Sequence, residues 1–199
     1  DGGAGNDRLI GGSSSDILIG GAGNDLLRGG TGNDIYRFDV DQLLGEDTVD
    51  ELPGAANGAD FLDFSQTTTV GVTVDLSLTT QQTVHATNLK LTLTSGTSIE
   101  HIFGGDGNDT LIGNSLDNGF IGGRGVDVIR GGTGANFLVE TRDADFLLAS
   151  TSATTATLTI TDAIGSEADL LTDIQRVFLT GGASNNILDA TAFTGQVSL

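Results

Sequence analysis

Aspartate returns at a fixed interval in this chain of 199 residues. Asp7, Asp16, Asp25 and Asp34 are each nine residues apart, and Asp109 and Asp127 repeat the spacing at eighteen. Asn118 and Asn136 hold the alternate places of that second run. A carboxylate is a hard oxygen donor, so one acid held at one phase of a repeat suits a hard cation. There is no Cys and there are only two His, which argues against a soft-metal site. Calcium accepts six to eight oxygens in a flexible shell, whereas magnesium demands a tighter octahedron and keeps its waters. Several Ca2+ ions are therefore the expected cofactor.

The elements that must position these acids can be read from the residues around them. From Gly2 to Arg37 the chain is four contiguous nonapeptides: GGAGNDRLI, GGSSSDILI, GGAGNDLLR and GGTGNDIYR. Each opens on two glycines, places Asp sixth and sets an apolar residue eighth (Leu9, Leu18, Leu27, Tyr36). Six glycine-rich residues can turn through backbone angles closed to other residues. The last three are long enough for a short strand whose middle side chain points inward. Two units then make one flattened coil, so Asp7 stacks over Asp25 and Asp16 over Asp34, roughly 4.8 Å apart. Two carboxylates at that separation repel by about 3–4 kcal/mol at an effective dielectric near 20. A dication shared between turns reverses that sign.

The nonapeptide resembles the calcium-binding repeat of the RTX (repeats-in-toxin) family of secreted bacterial proteins. That resemblance is specific over residues 2–37 and 104–139. It implies an all-β fold, a right-handed parallel β-solenoid (β-roll), here widened by longer-strand segments. It also implies export by a type I secretion apparatus and an extracellular or cell-surface location. The expected metal residues are Asp7, Asp16, Asp25, Asp34, Asp47, Asp60, Asp109 and Asp127. Carbonyls of the glycine turns should complete the shells, at Gly3, Gly5, Gly21, Gly23, Gly30, Gly32, Gly105 and Gly107. The expected pairs are Asp7 with Asp25, Asp16 with Asp34, Asp25 with Asp47 and Asp109 with Asp127, and a fifth pairs Asp34 with Asp60.

Composition narrows the partners. With 27 acidic residues against 8 basic, the formal net charge is −19, which argues against nucleic acid and anionic membranes. No segment reaches the roughly twenty apolar residues of a membrane span, and no signal peptide opens the chain. Asp1 stands directly before a repeat and residues 196–199 end without a closing feature. The chain is thus expected to be a piece of a longer array, with neighbouring repeats of the parent chain as partners.

Four segments follow from the pattern. Residues 1–60 are a first array with a degenerate end, where Gly45-Glu46-Asp47-Thr48-Val49 and Gly58-Ala59-Asp60-Phe61-Leu62 keep the order of glycine, acid and apolar residue around a Pro53-Gly54 turn. Residues 61–103 alternate with period two at Val70, Val72, Val74, Leu76 and Leu78 and again at Leu89, Leu91 and Leu93. They are expected as longer solenoid strands joined by a polar turn at residues 81–83; an antiparallel hairpin packed on the side is the alternative. Residues 104–139 form a second array whose Asn118/Asn136 side is expected to be calcium-free or weak, because paired amides do not offset a dication. Residues 140–199 are a second long-strand segment, with a degenerate turn at 165–171 and Asn186 replacing an acid.

Other chemistry is thinly supported. His85 and His101 lie singly in strand-like contexts, and no nucleophile elbow, zinc motif or phosphate loop is present. Asp41, Glu46 and Asp47 could act as acid and base on a glycan, but calcium accounts for most of the acids. An ice-binding threonine row is interrupted by Asp106 and Arg124. The expected function is a non-enzymatic, calcium-triggered folding and spacer module of a larger secreted or cell-surface protein. Two alternatives stay open: an adhesion or matrix-binding module with a cell-surface or glycan partner, and the solenoid part of a secreted hydrolase whose catalytic domain lies elsewhere.

Overall fold

A computed structural model describes residues 1–51 and 58–199. The turn expected at Pro53-Gly54 lies outside the described residues. Among them every regular element is a strand, and most strands pair in parallel. The nonapeptides coil as the glycine spacing requires. Gly3 and Ala4 lie on Gly21 and Ala22, and Leu9 lies on Leu27, one eighteen-residue coil later.

One wall is a continuous parallel sheet of eight strands among the described residues. It runs Ile17–Leu18, Ile35–Arg37, Phe61–Asp63, His101–Phe103, Gly119–Ile121, Phe137–Thr141, Arg176–Thr180 and Gln196–Ser198. The middle residues Leu18, Tyr36, Leu62, Ile102, Phe120, Leu138 and Val177 all point inward and are buried. The facing wall supplies Leu27, Val49, Val74, Leu111, Ile129 and Leu171. Each buried side chain of this size stabilises by roughly 1.5–3 kcal/mol. The stack is therefore held by a narrow apolar file along its axis, with the turns at its margins.

The facing wall is where the long-strand segments depart from expectation. Residues 70–78 contribute only the short strand Thr73–Asp75. The polar stretch at residues 81–83 is not a turn: Gln82–His85 is a strand, and it pairs antiparallel with Leu89–Leu93. Leu89–Leu93 in turn lies parallel on Gly45–Val49. Gln82 is buried because its side chain does the work of a strand edge. Its Oε1 accepts from the Asp75 amide at 2.8 Å and its Nε2 donates to the Asp75 carbonyl at 3.0 Å. The hairpin alternative and the stacked alternative are thus combined, since the hairpin is an inserted part of the wall.

The same device recurs later. Asp145–Ser150, Thr155–Thr161 and Ser166–Thr172 form an antiparallel meander. Its last strand lies parallel on Val128–Arg130 and its first receives Leu188–Ala192. Consecutive strands joined by a few residues must run antiparallel, because a parallel return needs a crossover of a dozen residues or more. Both insertions therefore run backwards along the solenoid before the coil resumes. The turn expected over 165–171 is drawn out into strand for this reason.

His101 needs no catalytic explanation. It packs between Phe61 and Phe137, with ring centroids 4.5 and 5.7 Å away, over the side-chain gap left by Gly119, where a Cβ would meet the His101 and Phe137 rings. Burial lowers its pKa.

Candidate metal centres

The aspartates stand in columns, one at the end of each six-residue turn, where the chain enters a strand. On the first side the Asp7 amide donates to Oδ1 of Asp25 at 2.8 Å, and the Asp25 amide to Oδ1 of Asp47 at 2.9 Å. On the second, Asp16 donates to Asp34 at 2.9 Å and Asp34 to Asp60 at 2.8 Å. The Asp60 amide continues this column to Oε2 of Glu100 at 2.9 Å. In the second array the amide of Val72 donates to Asp109, Asp109 to Asp127 and Asp127 to Asp169, at 2.8, 2.8 and 2.9 Å. Each acid after Asp7 and Asp16, which start their columns, thus uses one oxygen to tie its turn to the turn before it.

The second oxygen distinguishes the sites. Oδ2 of Asp7, Asp16, Asp25, Asp34, Asp47, Asp127 and Asp169 is buried and has no hydrogen-bond partner. A buried carboxylate oxygen left unpaired is costly, by about 1–3 kcal/mol or more. The pairs Asp7/Asp25, Asp16/Asp34, Asp25/Asp47 and Asp127/Asp169 each bring two such oxygens to adjacent turns. Asp109 differs, since its Oδ1 accepts from Val72 and its Oδ2 from the Gly105 amide at 2.9 Å. The expected pair Asp109/Asp127 therefore has one such oxygen, on Asp127. Asp60 continues the column beyond Asp34 by its Oδ1.

Carbonyls approach the same margins. Gly21 and Gly23 have φ of 97° and 143°, and a Cβ on either would collide with the carbonyl oxygen of Gly3 or of Gly5 in the turn below. The carbonyls of Gly12, Gly32, Gly105 and Gly107 meet Gly30, Gly58, Gly123 and Gly125 in the same way. Glycine is required here because an L side chain would fill the space that the carbonyls face. Among the described residues no three acidic or His side chains converge as a ready metal cluster. An ion between turns must therefore draw on these carbonyls together with the carboxylates, which is the mixed oxygen shell that calcium accepts.

The amide-bearing side shows what such a turn needs. The Asn118 amide donates to Oδ1 of Asn136 at 2.9 Å, just as aspartates do in the acidic columns. In the place of the orphaned oxygen Asn136 has an NH2 group, and it donates to the carbonyls of Gly132, Thr133 and Asp173 at 3.4, 3.3 and 3.1 Å. The turn carbonyls thus converge where the second atom of the sixth side chain lies. A partial positive charge satisfies them here; with a carboxylate oxygen at that place, a cation must.

Burial dominates the electrostatics. It pushes the carboxyls of Asp47, Asp60 and Asp169 up to about 7, Asp109 to about 6 and Asp127 to about 8, each partly offset by the amide that its oxygen accepts. Asp34 is raised as well, again by burial first. Burial also lifts Glu140 to about 8, with Asp169 nearby adding to the shift.

Sequence reasoning missed four members of the columns. Glu100 and Gln175 occupy the place of the sixth residue beyond Asp60 and Asn136, with the Asn136 amide donating to Oε1 of Gln175 at 2.7 Å. Asp169 completes the column of Asp127, and Glu140 accepts from the Gly122 amide at 3.1 Å. Asp169 carried a usable signal, because it precedes an apolar pair (Leu170-Leu171) as the unit's acids do. The others carried none at nine-residue spacing. Asn186, expected to replace an acid, accepts from the Gly182 amide at 2.7 Å, the same bond within the turn that Asp109 makes with Gly105.

No curated protein matches this chain. A family model, the RTX calcium-binding nonapeptide repeat, matches in four copies over residues 1–36, 94–115 and 121–139. The gap at residues 116–120 falls in the unit that carries Asn118. With its nonapeptide turns, its parallel coil and this match, the chain carries RTX calcium-binding repeats over the matched residues.

Proposed function

We propose that this chain is a calcium-binding β-roll module in which the aspartate columns hold Ca2+ ions between stacked turns and so close the solenoid. The observation that carries the reading is the set of buried Oδ2 atoms without partners, repeated at the same place in turn after turn. Asp7/Asp25, Asp16/Asp34 and Asp25/Asp47 are the best-supported pairs, with the carbonyls of Gly3, Gly5, Gly12, Gly21, Gly23, Gly30 and Gly32 as completing donors. Asp34/Asp60 and Asp109/Asp127 are weaker sites. The bound ion supplies the positive charge that stacked carboxylates lack.

Such a site does not exist in the unfolded chain, so binding energy becomes folding energy. In a compartment poor in calcium the acids repel and the chain stays loose. At the roughly millimolar calcium outside a cell, sites with dissociation constants of about 10⁻⁴–10⁻³ M fill. We take the module to be a non-catalytic folding and spacer segment of a larger secreted or cell-surface protein, exported unfolded by a type I apparatus and folding on arrival. Circular dichroism with and without EGTA tests this. A β signal that is unchanged by chelation removes the mechanism.

A further inference from the structure

The stacking changes above the turn 122–127. The residues that would form the facing turn are drawn into Ser166–Thr172, whose backbone is engaged with Thr155–Thr161. Its glycine-turn carbonyls are therefore lost to the interval. Two side chains reach back instead: Glu167 Oε2 accepts from the Gly125 amide at 2.9 Å, and Asp169 Oδ1 from Asp127 at 2.9 Å. Arg142, which follows the opposite-wall strand Phe137–Thr141, extends into the same interval. Its Nη1 donates to Oε1 of Glu167, and its Nη2 donates to the carbonyl of Gly123. The pair is largely covered, with side-chain exposures of 12% and 18%.

Gly123 is the second glycine of its unit, the place held elsewhere by Gly3, Gly21, Gly30 and Gly105. Its carbonyl is thus one of the set that the other turns would offer to an ion. We infer that Arg142 is the resident cation of the interval between residues 122–127 and 166–169, standing where calcium would otherwise bridge the Gly123 carbonyl and the facing carboxylate. This rests on the calcium reading of the other turns.

The chemistry is consistent. A guanidinium is always charged and presents a fork of donors to carboxylate and carbonyl oxygens. It carries one charge where calcium carries two, but it is tethered, so filling the interval does not depend on ion concentration. Around it lie the carboxyl groups of Glu167, Glu140, Asp162 and Asp169, and its charge acts on both Asp169 and Glu140. Strand Ser166–Thr172 is thereby tied to the turn 122–127 with no external ion at the Gly123 carbonyl, while Oδ2 of Asp127 and of Asp169 stay without a partner. The middle of the molecule would keep its pairing in chelator while the first array opens.

Native mass spectrometry in calcium tests the assignment by counting ions on the wild type, Arg142→Ala and Arg124→Ala. Arg124 pairs with Asp162 at 2.9 Å and controls for the loss of a turn arginine. We expect Arg142→Ala to bind one more ion than the wild type, and Arg124→Ala none more. Equal counts for the wild type and Arg142→Ala overturn the inference. If Arg142→Ala does not fold in calcium, hydrogen exchange of the wild type in EGTA decides. Protection retained at residues 128–130 and 170–172 but lost at 26–30 and 45–49 supports it, and equal loss at both overturns it. A wild type that binds no calcium sinks the proposed function, and the exchange pattern still judges Arg142.

Discussion

The Asp25 amide donates to Oδ1 of Asp47 at 2.9 Å, while Oδ1 of Asp25 accepts from Asp7 at 2.8 Å, so Asp25 is clamped between two turns. Its Oδ2, like that of Asp47, is buried without a partner. Asp16 has a neighbour of this kind on one side only, Asp34. Substituting Asn keeps the Oδ1 bond and removes the charge. We expect Asp25→Asn to weaken calcium binding in two intervals, by about tenfold or more in each, or about 1.4 kcal/mol. Asp16→Asn should affect one. Calorimetric titration checks this, and equal effects would mean that the pairing is wrong.

Asn136 offers the reverse experiment. Its NH2 group serves the carbonyls of Gly132, Thr133 and Asp173, and Asn136→Asp sets a carboxylate oxygen against them. In EGTA this should destabilise the fold by about 1–3 kcal/mol, the cost of a buried unpaired group. Added calcium should restore much of the loss. Denaturant unfolding with and without calcium measures both, and a loss that calcium leaves untouched would deny this turn an ion-binding shape.

Two glycines with left-handed backbone separate strain from collision. Gly3, with φ of 91°, has open space around a Cβ, whereas a Cβ on Gly21, with φ of 97°, strikes the Gly3 carbonyl. Gly3→Ala should cost about 1–2 kcal/mol from backbone conformation alone. Gly21→Ala should cost clearly more and displace the carbonyls between the turns. Melting temperatures in calcium compare them, and similar losses would show that the turns are not in close approach.

The raised carboxyl groups set a pH dependence. Asp47, Asp60 and Asp169 sit near 7 and Asp127 near 8 in the fold, against an ordinary 3.8. The metal-free fold then holds more protons than the unfolded chain over this range, so its stability falls as pH rises from about 4 to about 8. Calcium competes with those protons, so its affinity should climb over the same range. Circular dichroism in EGTA should show more β structure at the acid end, and the opposite trend would contradict burial as the dominant cause.

The nonapeptides by themselves determined a great deal. Glycine placement at the first and second positions, Asp at the sixth and an apolar residue at the eighth specify a local turn, a short strand and an inward side chain. Eighteen-residue stacking then follows from period alone, and with it the columns Asp7/Asp25 and Asp16/Asp34. Local periodicity also marked Leu89, Leu91 and Leu93 as core, and all three are buried. What it could not express is direction. Alternation is the same for a parallel and an antiparallel strand, so the backward-running insertions depended on short connections and on which edge was left to pair. Long-range pairing likewise decided the ends of the columns. Asp169 meets Asp127 across 42 residues, and Arg142 reaches Glu167 from the opposite wall. A repeat writes its own neighbours into the chain, but where the repeat is interrupted, contact is settled only by how the inserted strands pack.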